Sequence, residues 1–222
     1  MNSINLPKDK IVRNIQDFIV HKDHSCLMAR SVMASNSLRT VILLNSSINE
    51  IKKLYLTIEQ NRLNDSPDPN SFSTIIAVFP EINISDAILF EDFLWEVLYK
   101  LNSMDKYDWD PSVSKKLQDN NYSFSIAGTA FYVVGMFPNS PRKARRMPYV
   151  SLAFNLHRQF ERLRKMGAYE QVKKRIRNRD KNLQGDINPM LEDFGESSEA
   201  RQYSGRMVKG QWKCPYFEKP NK

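Results

Sequence analysis

His157 is the side chain whose surroundings point most directly to chemistry. It ends an apolar run and opens a segment of helical periodicity, with Phe154 and Phe160 three residues away on either side. A neutral imidazole nitrogen binds iron well and apolar walls hold a porphyrin, so this pattern could ligate haem iron. Glu161 or Asn155 could orient the second ring nitrogen. The alternative is a core or capping histidine that hydrogen-bonds Glu161 one helical turn later.

Two cysteines, Cys26 and Cys214, offer a second kind of iron ligand, because a thiolate holds the haem of some monooxygenases. They lie far apart and form no CxxC pair, which favours free thiols in a reducing compartment; a buried, inert cysteine is the commoner case. His21 and His24 do not combine with Cys26 into the four-ligand set of a structural zinc site. We therefore expect both histidines to be exposed in a loop near a helix end.

The segment SPRKARR at 140–146 holds four cations that could bind an anion. The planar guanidinium groups of Arg142, Arg145 and Arg146 match carboxylates and phosphates in shape and charge. A solvated basic loop and a contact with nucleic acid are the alternatives.

Glu91 and Trp95 are four residues apart and share one face of a predicted helix. A carboxylate beside an aromatic ring could hold a guanidinium or ammonium group through charge and cation–π attraction. The alternative is an ordinary amphipathic helix with a half-buried tryptophan.

The rest of the sequence predicts the elements that position these side chains. Apolar residues at helical spacing indicate helices at 8–20 and 47–63, a helix capped by Ser85 and ending at Ser103, a helix closed by Gly167 and a helix at 169–180. Runs rich in β-forming residues indicate strands at 38–44 and 73–80, a hairpin around Gly128-Thr129 and a short strand at 151–154. We therefore predict a single domain over residues 1–222, of α/β or α+β class. It has three layers, with a central mixed sheet flanked by helices and an ordered, irregular C-terminal segment.

Charge and composition limit the classes of partner. The net charge is +8, and residues 141–222 hold 20 Lys and Arg against 9 Asp and Glu, which suggests an anionic partner such as nucleic acid or the acidic groups of a cofactor. No Walker loop, GxGxxG, HExxH, GxSxG or recognised nucleic-acid module occurs, which disfavours the common nucleotide, zinc and nucleic-acid readings. No apolar run approaches about 18 residues and no signal pattern opens the chain, so we expect a cytoplasmic protein without a membrane segment.

Long stretches of the chain resemble the YqcI/YcgG family of bacterial proteins. The similar stretches are FEDFLWEVLYKLNSMD (90–105), FSIAGTAFYVVGMFPNSPRKARR (124–146), FNLHRQFERLRKMG (154–167), LQGDINPMLEDFGESSEARQYSGR (183–206), WKCPY (212–216) and, near the N-terminus, HSCLMARSV (24–32). Members similar to this chain include haem-dependent N-hydroxylases of arginine and cyclic arginine-like amino acids, and related haem enzymes oxidise the side-chain amine of lysine. The position of Phe137 more often carries histidine in the family, which increases the weight on His157.

The resemblance implies a haem-dependent N-oxygenase with haem b, dioxygen or peroxide as oxidant, a basic amino acid as substrate, and an electron donor or peroxide source as partner. A non-catalytic haem-binding or nucleic-acid-binding protein is the alternative. On this interpretation His157 is the iron ligand, with Cys214 or Cys26 as the thiolate alternative, and Phe154 and Phe160 are the walls of the haem site. Arg142, Arg145 and Arg146 bind the haem propionates or the substrate carboxylate. Glu91 and Arg206 are catalytic groups, and the substrate contacts are Glu91, Trp95 and Tyr203.

Overall fold

The architecture is described by a computed structural model for residues 7–21, 24–62, 72–190, 192–208, 210 and 212–215. The helices are α1 (Lys8–Val20), α2 (Leu27–Ala34), α3 (Ile48–Asn61), α4 (Ala87–Ser103), α5 (His157–Lys165) and α6 (Tyr169–Gln184). The strands are β1 (Leu38–Ile42), β2 (Thr74–Phe79), β3 (Phe124–Ile126), β4 (Thr129–Met136) and β5 (Val150–Leu156). Short 3-10 helices lie at Lys143–Arg145 and Glu199–Gln202. None of the helices in these ranges combines the length and apolar character needed to cross a bilayer.

Within the described ranges the strands form one mixed sheet in the order β1-β2-β5-β4-β3. β1 and β2 are parallel and are connected through α3, whereas the other neighbouring strands are antiparallel. β5 pairs with both β2 and β4, so the short strand predicted at 151–154 is in fact a central strand of 7 residues. The predicted α/β class with a central mixed sheet is confirmed.

Side chains alternate across the sheet and divide its two faces between different helices. In β2, Ile75 and Phe79 pack with α3 and α4, whereas Ile76 and Val78 pack with α1. A smaller cluster joins α2 to α5. Helices therefore cover both faces of the sheet, which gives the three layers that the sequence predicts.

The N-terminus of α4 and the β3–β4 hairpin are each shifted by one residue from their predicted positions. The N-cap of α4 is Asp86 rather than Ser85, because the Asp86 carboxylate accepts hydrogen bonds from two backbone amides of the first turn. The hairpin turn is formed by Ala127 and Gly128, with φ values of 53° and 68°, rather than by Gly128 and Thr129. Two consecutive positive φ angles match the twist of the flanking strands.

The ends of two helices depend on signals that the periodicity of apolar residues does not contain. α2 has no counterpart in the sequence prediction, and Cys26 caps it by accepting a hydrogen bond from the Ala29 amide at 3.4 Å. α6 continues past the predicted end at residue 180 to Gln184, where Gly185 ends it with a φ of 100°.

The segment that follows α6 packs against β4 on the side away from β5. The Gly135 amide donates a hydrogen bond to the Tyr203 carbonyl at 2.7 Å. A Cβ atom on Gly135 would lie 2.6 Å from Leu94 Cδ1 and 2.8 Å from that carbonyl oxygen, so this approach requires glycine. Tyr203 is completely buried, and it anchors the irregular segment to the sheet.

Candidate functional site

A cavity of about 220 Å³ lies between the sheet, α5, α6 and the C-terminal segment. Its apolar and aromatic walls are Met28, Tyr132, Phe160, Leu163, Tyr169, Val172, Ile176 and Phe194. Of the two predicted aromatic walls, Phe160 therefore lines the cavity, whereas Phe154 lies in the core with α3 and α4. A concave, largely apolar space that also holds a few titratable groups is the default candidate for a ligand site.

His157 is the first residue of α5 and directly follows β5, which confirms the predicted strand-to-helix junction. Its side chain lines the cavity, and its buried Nδ1 atom has no hydrogen-bond partner. Carboxylates approach both ring nitrogens: Glu161 Oε1 lies 3.5 Å from Nε2, and Glu199 Oε1 lies 3.8 Å from Nδ1. Burial lowers the pKa of His157, so the neutral form that binds metal ions is favoured.

Glu199 is a buried titratable residue of the cavity that the sequence analysis missed. It is 5% exposed, and its Oε2 atom is buried without a hydrogen-bond partner. Burial raises the pKa of Glu199 to about 8, because the charged form is poorly solvated there. Glu199 lies in the 3-10 helix of the irregular segment, where no periodicity distinguishes it from the other acidic residues.

Three cations line the same cavity: Arg164 of α5, and Lys173 and Arg177 of α6. Lys173 Nζ lies 2.7 Å from Asp193 Oδ2, and Arg164 forms an ion pair with Glu161. These side chains place positive charge beside the apolar walls. They can therefore bind a carboxylate of a ligand by exchanging one acidic partner for another.

Cys26 is the one of the two predicted thiolate alternatives that lines this cavity. Cys214 is buried in the core with α3 and α4. Together with Asn155, Cys26 also borders a neighbouring cavity of about 100 Å³. Burial raises the pKa of Cys26, which favours the protonated thiol over the thiolate that binds metal.

His24 is buried, and the prediction that it is an exposed loop residue is wrong. Only 7% of the residue is exposed, because the chain turns inward before α2. The Cys26 amide donates a hydrogen bond to His24 Nδ1 at 3.3 Å, and the Phe18 ring packs edge-on at 5.1 Å. His21 is exposed, as predicted.

The burial of His24 predicts a loss of stability in acid. Burial lowers the pKa of His24 from 6.5 to about 4, so the unfolded chain binds more protons than the folded chain between these values. The contribution of His24 to the free energy of unfolding is therefore fully present above about pH 6.5 and is lost as the pH falls towards 4. This loss amounts to about 3 kcal/mol. Urea titrations at several pH values across this range measure the free energy of unfolding. The decrease in this free energy between pH 6.5 and 4 should be smaller in His24→Asn, whereas His21→Asn should retain the full decrease. Equal decreases in the two variants would contradict the prediction.

The predicted substrate site around Glu91 forms a separate cluster that does not line the cavity. Glu91 is buried, accepts hydrogen bonds from Arg206 Nε at 3.0 Å and from the Ser204 hydroxyl at 2.9 Å, and is thereby occupied within the protein. Trp95 and Tyr203 stack in the core beside it, with ring centroids 5.8 Å apart. The structure therefore brings these predicted residues together with one another but not with the imidazole.

The arginines of the 140–146 segment bind the protein itself and do not line the cavity. Arg142 Nη2 lies 2.6 Å from Asp180 Oδ2, and Arg142 also pairs with Asp186. Arg145 is buried and donates to two backbone carbonyls at 3.0 and 3.3 Å, whereas the exposed Arg146 donates to one carbonyl at 2.8 Å. These contacts attach the β4–β5 connection to α6 and to the C-terminal segment.

A comparison with profiles of protein families shows the family to which the chain belongs. The profile of the YqcI/YcgG family matches residues 15–217. The chain belongs to the YqcI/YcgG family. In this YqcI/YcgG protein the matched range includes every residue that lines the cavity, from Cys26 to Gln202. Searches of curated proteins and of solved structures found no match.

Proposed function

We propose that this YqcI/YcgG protein is a haem-dependent N-oxygenase that hydroxylates a side-chain nitrogen of a basic amino acid. Arginine or an arginine-like guanidino acid is the expected substrate, with the lysine amine as a second option. The observation that carries the proposal is His157, a buried imidazole whose neutral form is favoured, in a cavity with apolar walls. The sequence resemblance to haem-dependent N-hydroxylases supports the same function.

The side chains that line the cavity are of the types that bind haem, but the cavity is smaller than a haem site. A neutral imidazole is a common axial ligand, and Phe160, Leu163 and Ile176 are apolar walls of the kind that contact a porphyrin. Cavities for drug-sized ligands measure about 300–1,000 Å³, whereas this cavity measures about 220 Å³. Binding a whole haem therefore requires the walls to move apart.

Several of the cavity residues would each have a part in the proposed reaction. Bound haem b would supply the activation of dioxygen or peroxide. His157 would hold the iron, and the apolar walls would exclude water from the reacting nitrogen. Arg164 and Lys173 would bind carboxylates, either those of the haem propionates or that of the amino acid.

Cys26 supports a second version of the same site. Cys26 lines the cavity together with His157, and a thiolate ligand would favour oxygen–oxygen cleavage. Because burial favours the protonated thiol of Cys26, the imidazole is the ligand that we propose.

The proposal is tested by titrating the purified protein with hemin and then supplying basic amino acids. We expect a single, non-covalently bound haem b with a Soret band. With a reductant and dioxygen, or with peroxide, arginine or a related compound should gain one oxygen on its terminal nitrogen, as detected by mass spectrometry. Haem binding without turnover of any basic amino acid would indicate a non-catalytic haem protein. A protein that binds no hemin overturns the proposal, and co-purified nucleic acid would then favour the nucleic-acid alternative.

A further inference from the structure

The two carboxylates that approach His157 differ in their freedom to move. Glu161 is 36% exposed at its side chain and already forms an ion pair with Arg164. Glu199 is 7% exposed at its side chain, and its Oε2 atom is buried without a hydrogen-bond partner. Glu161 can therefore turn away from the ring towards solvent, whereas Glu199 is enclosed beside the ring.

The buried atoms that lack partners on His157 and Glu199 complement each other. A histidine nitrogen that carries a proton is a donor, and a carboxyl group keeps an acceptor oxygen whether or not it is protonated. Nδ1 of His157 and Oε2 of Glu199 are both buried without partners, although Oε1 of the same carboxyl lies only 3.8 Å from Nδ1. A shift of about 1 Å would bring the pair to hydrogen-bond distance. Such contacts are often long in ligand-free structures and shorten when the ligand binds.

We propose that Glu199 is a positioning residue, which accepts the Nδ1 proton of His157 and so presents Nε2 as the metal-binding nitrogen. This inference rests on the proposed function, because it assigns the nitrogen that would face haem iron. Metal-ligating histidines usually donate the second ring N–H to a carboxylate or carbonyl, which fixes the tautomer and the orientation of the ring. Glu161, the neighbour of Nε2, would have to leave that nitrogen, and its partly exposed side chain can turn towards solvent.

The tautomer of His157 can be measured without any haem. Long-range ¹H–¹⁵N spectra of the haem-free protein should show the proton of His157 on Nδ1. In Glu199→Leu the proton should move to Nε2, the nitrogen that carries the proton in most solvent-exposed neutral histidine side chains. Leu is similar in size to Glu and removes a buried carboxyl whose Oε2 atom has no hydrogen-bond partner, so this variant should fold. An unchanged tautomer in Glu199→Leu, or a shift in Glu161→Gln instead, overturns the inference.

Hemin affinity provides the second measurement. Glu199→Leu should bind hemin about 10- to 100-fold more weakly than the parent, which is the usual effect of losing a residue that supports a metal-bound histidine. Glu192→Gln is the matched control, since this exposed carboxylate lies in the same segment and borders the cavity. Equal hemin affinity in Glu199→Leu and the control overturns the inference. If the parent binds no hemin, the proposed function fails, and the tautomer measurement still decides whether the His157–Glu199 pair exists.

Discussion

His157→Ala is expected to lower the affinity for hemin by more than about 100-fold, because the loss of a supporting residue alone costs roughly 10- to 100-fold. The substitution removes the buried nitrogen that we propose as the iron ligand. Titration of the Soret band with the haem-free variant measures the effect. Added imidazole should restore part of the binding, since a small ligand can occupy the space that the side chain leaves.

Two controls separate the loss of a ligand from the loss of the fold. Circular dichroism and thermal unfolding of His157→Ala should show a folded protein, and His21→Ala, at an exposed position, should bind hemin as the parent does. Full haem occupancy in His157→Ala together with loss of haem in Cys26→Ala would identify the thiolate as the ligand. The reduced carbonyl complex gives independent evidence, because thiolate ligation moves its Soret band to a markedly longer wavelength than imidazole ligation does.

Arg142→Ala is expected to lower the free energy of unfolding by about 3–5 kcal/mol, the usual effect of removing one partner from a buried ion pair. The side chains of Arg142 and Asp180 are 10% and 8% exposed. Without Arg142, the Asp180 carboxylate would remain buried and would keep only the Asn188 amide, at 3.0 Å, among these contacts. Denaturant titrations of the haem-free protein measure the loss.

The same segment contains a matched control for this prediction. Arg146→Ala makes the same chemical change at an exposed position. It removes one hydrogen bond to a backbone carbonyl, and it should change the free energy of unfolding by only about 0.5 kcal/mol. A double variant, Arg142→Met with Asp180→Leu, should recover much of the lost stability because neither charge of this ion pair remains. A similar small effect for Arg142→Ala and Arg146→Ala would show that the ion pair contributes little.

The elements with regular periodicity could be predicted from the sequence, and the candidate site could be predicted only where it rests on them. His157 and Phe160 follow directly from the apolar run and the helix that succeeds it, and both line the cavity. Glu199 could not be found in this way, because it lies in an irregular segment whose position depends on contacts with distant strands. Burial of His24 was missed for the same reason.

The charged residues show a second limit of sequence reasoning. Arg142 and Glu91 are the residue types that bind ligands, and the sequence alone gives no sign that Asp180 and Arg206 already occupy them. These pairs join residues 38 and 115 positions apart, and a pattern within one helix or loop carries no information about such distant partners.

The attachment of the C-terminal segment at Gly135 also has a consequence for biosynthesis. One wall of the cavity comes from that segment, which contributes Glu199 and Gln202. At about 5–20 residues per second, a ribosome adds Glu199 roughly 2 to 8 seconds after His157. Until this segment has left the ribosome and docked at Gly135, the cavity lacks that wall, so productive uptake of a ligand follows the completion of this segment.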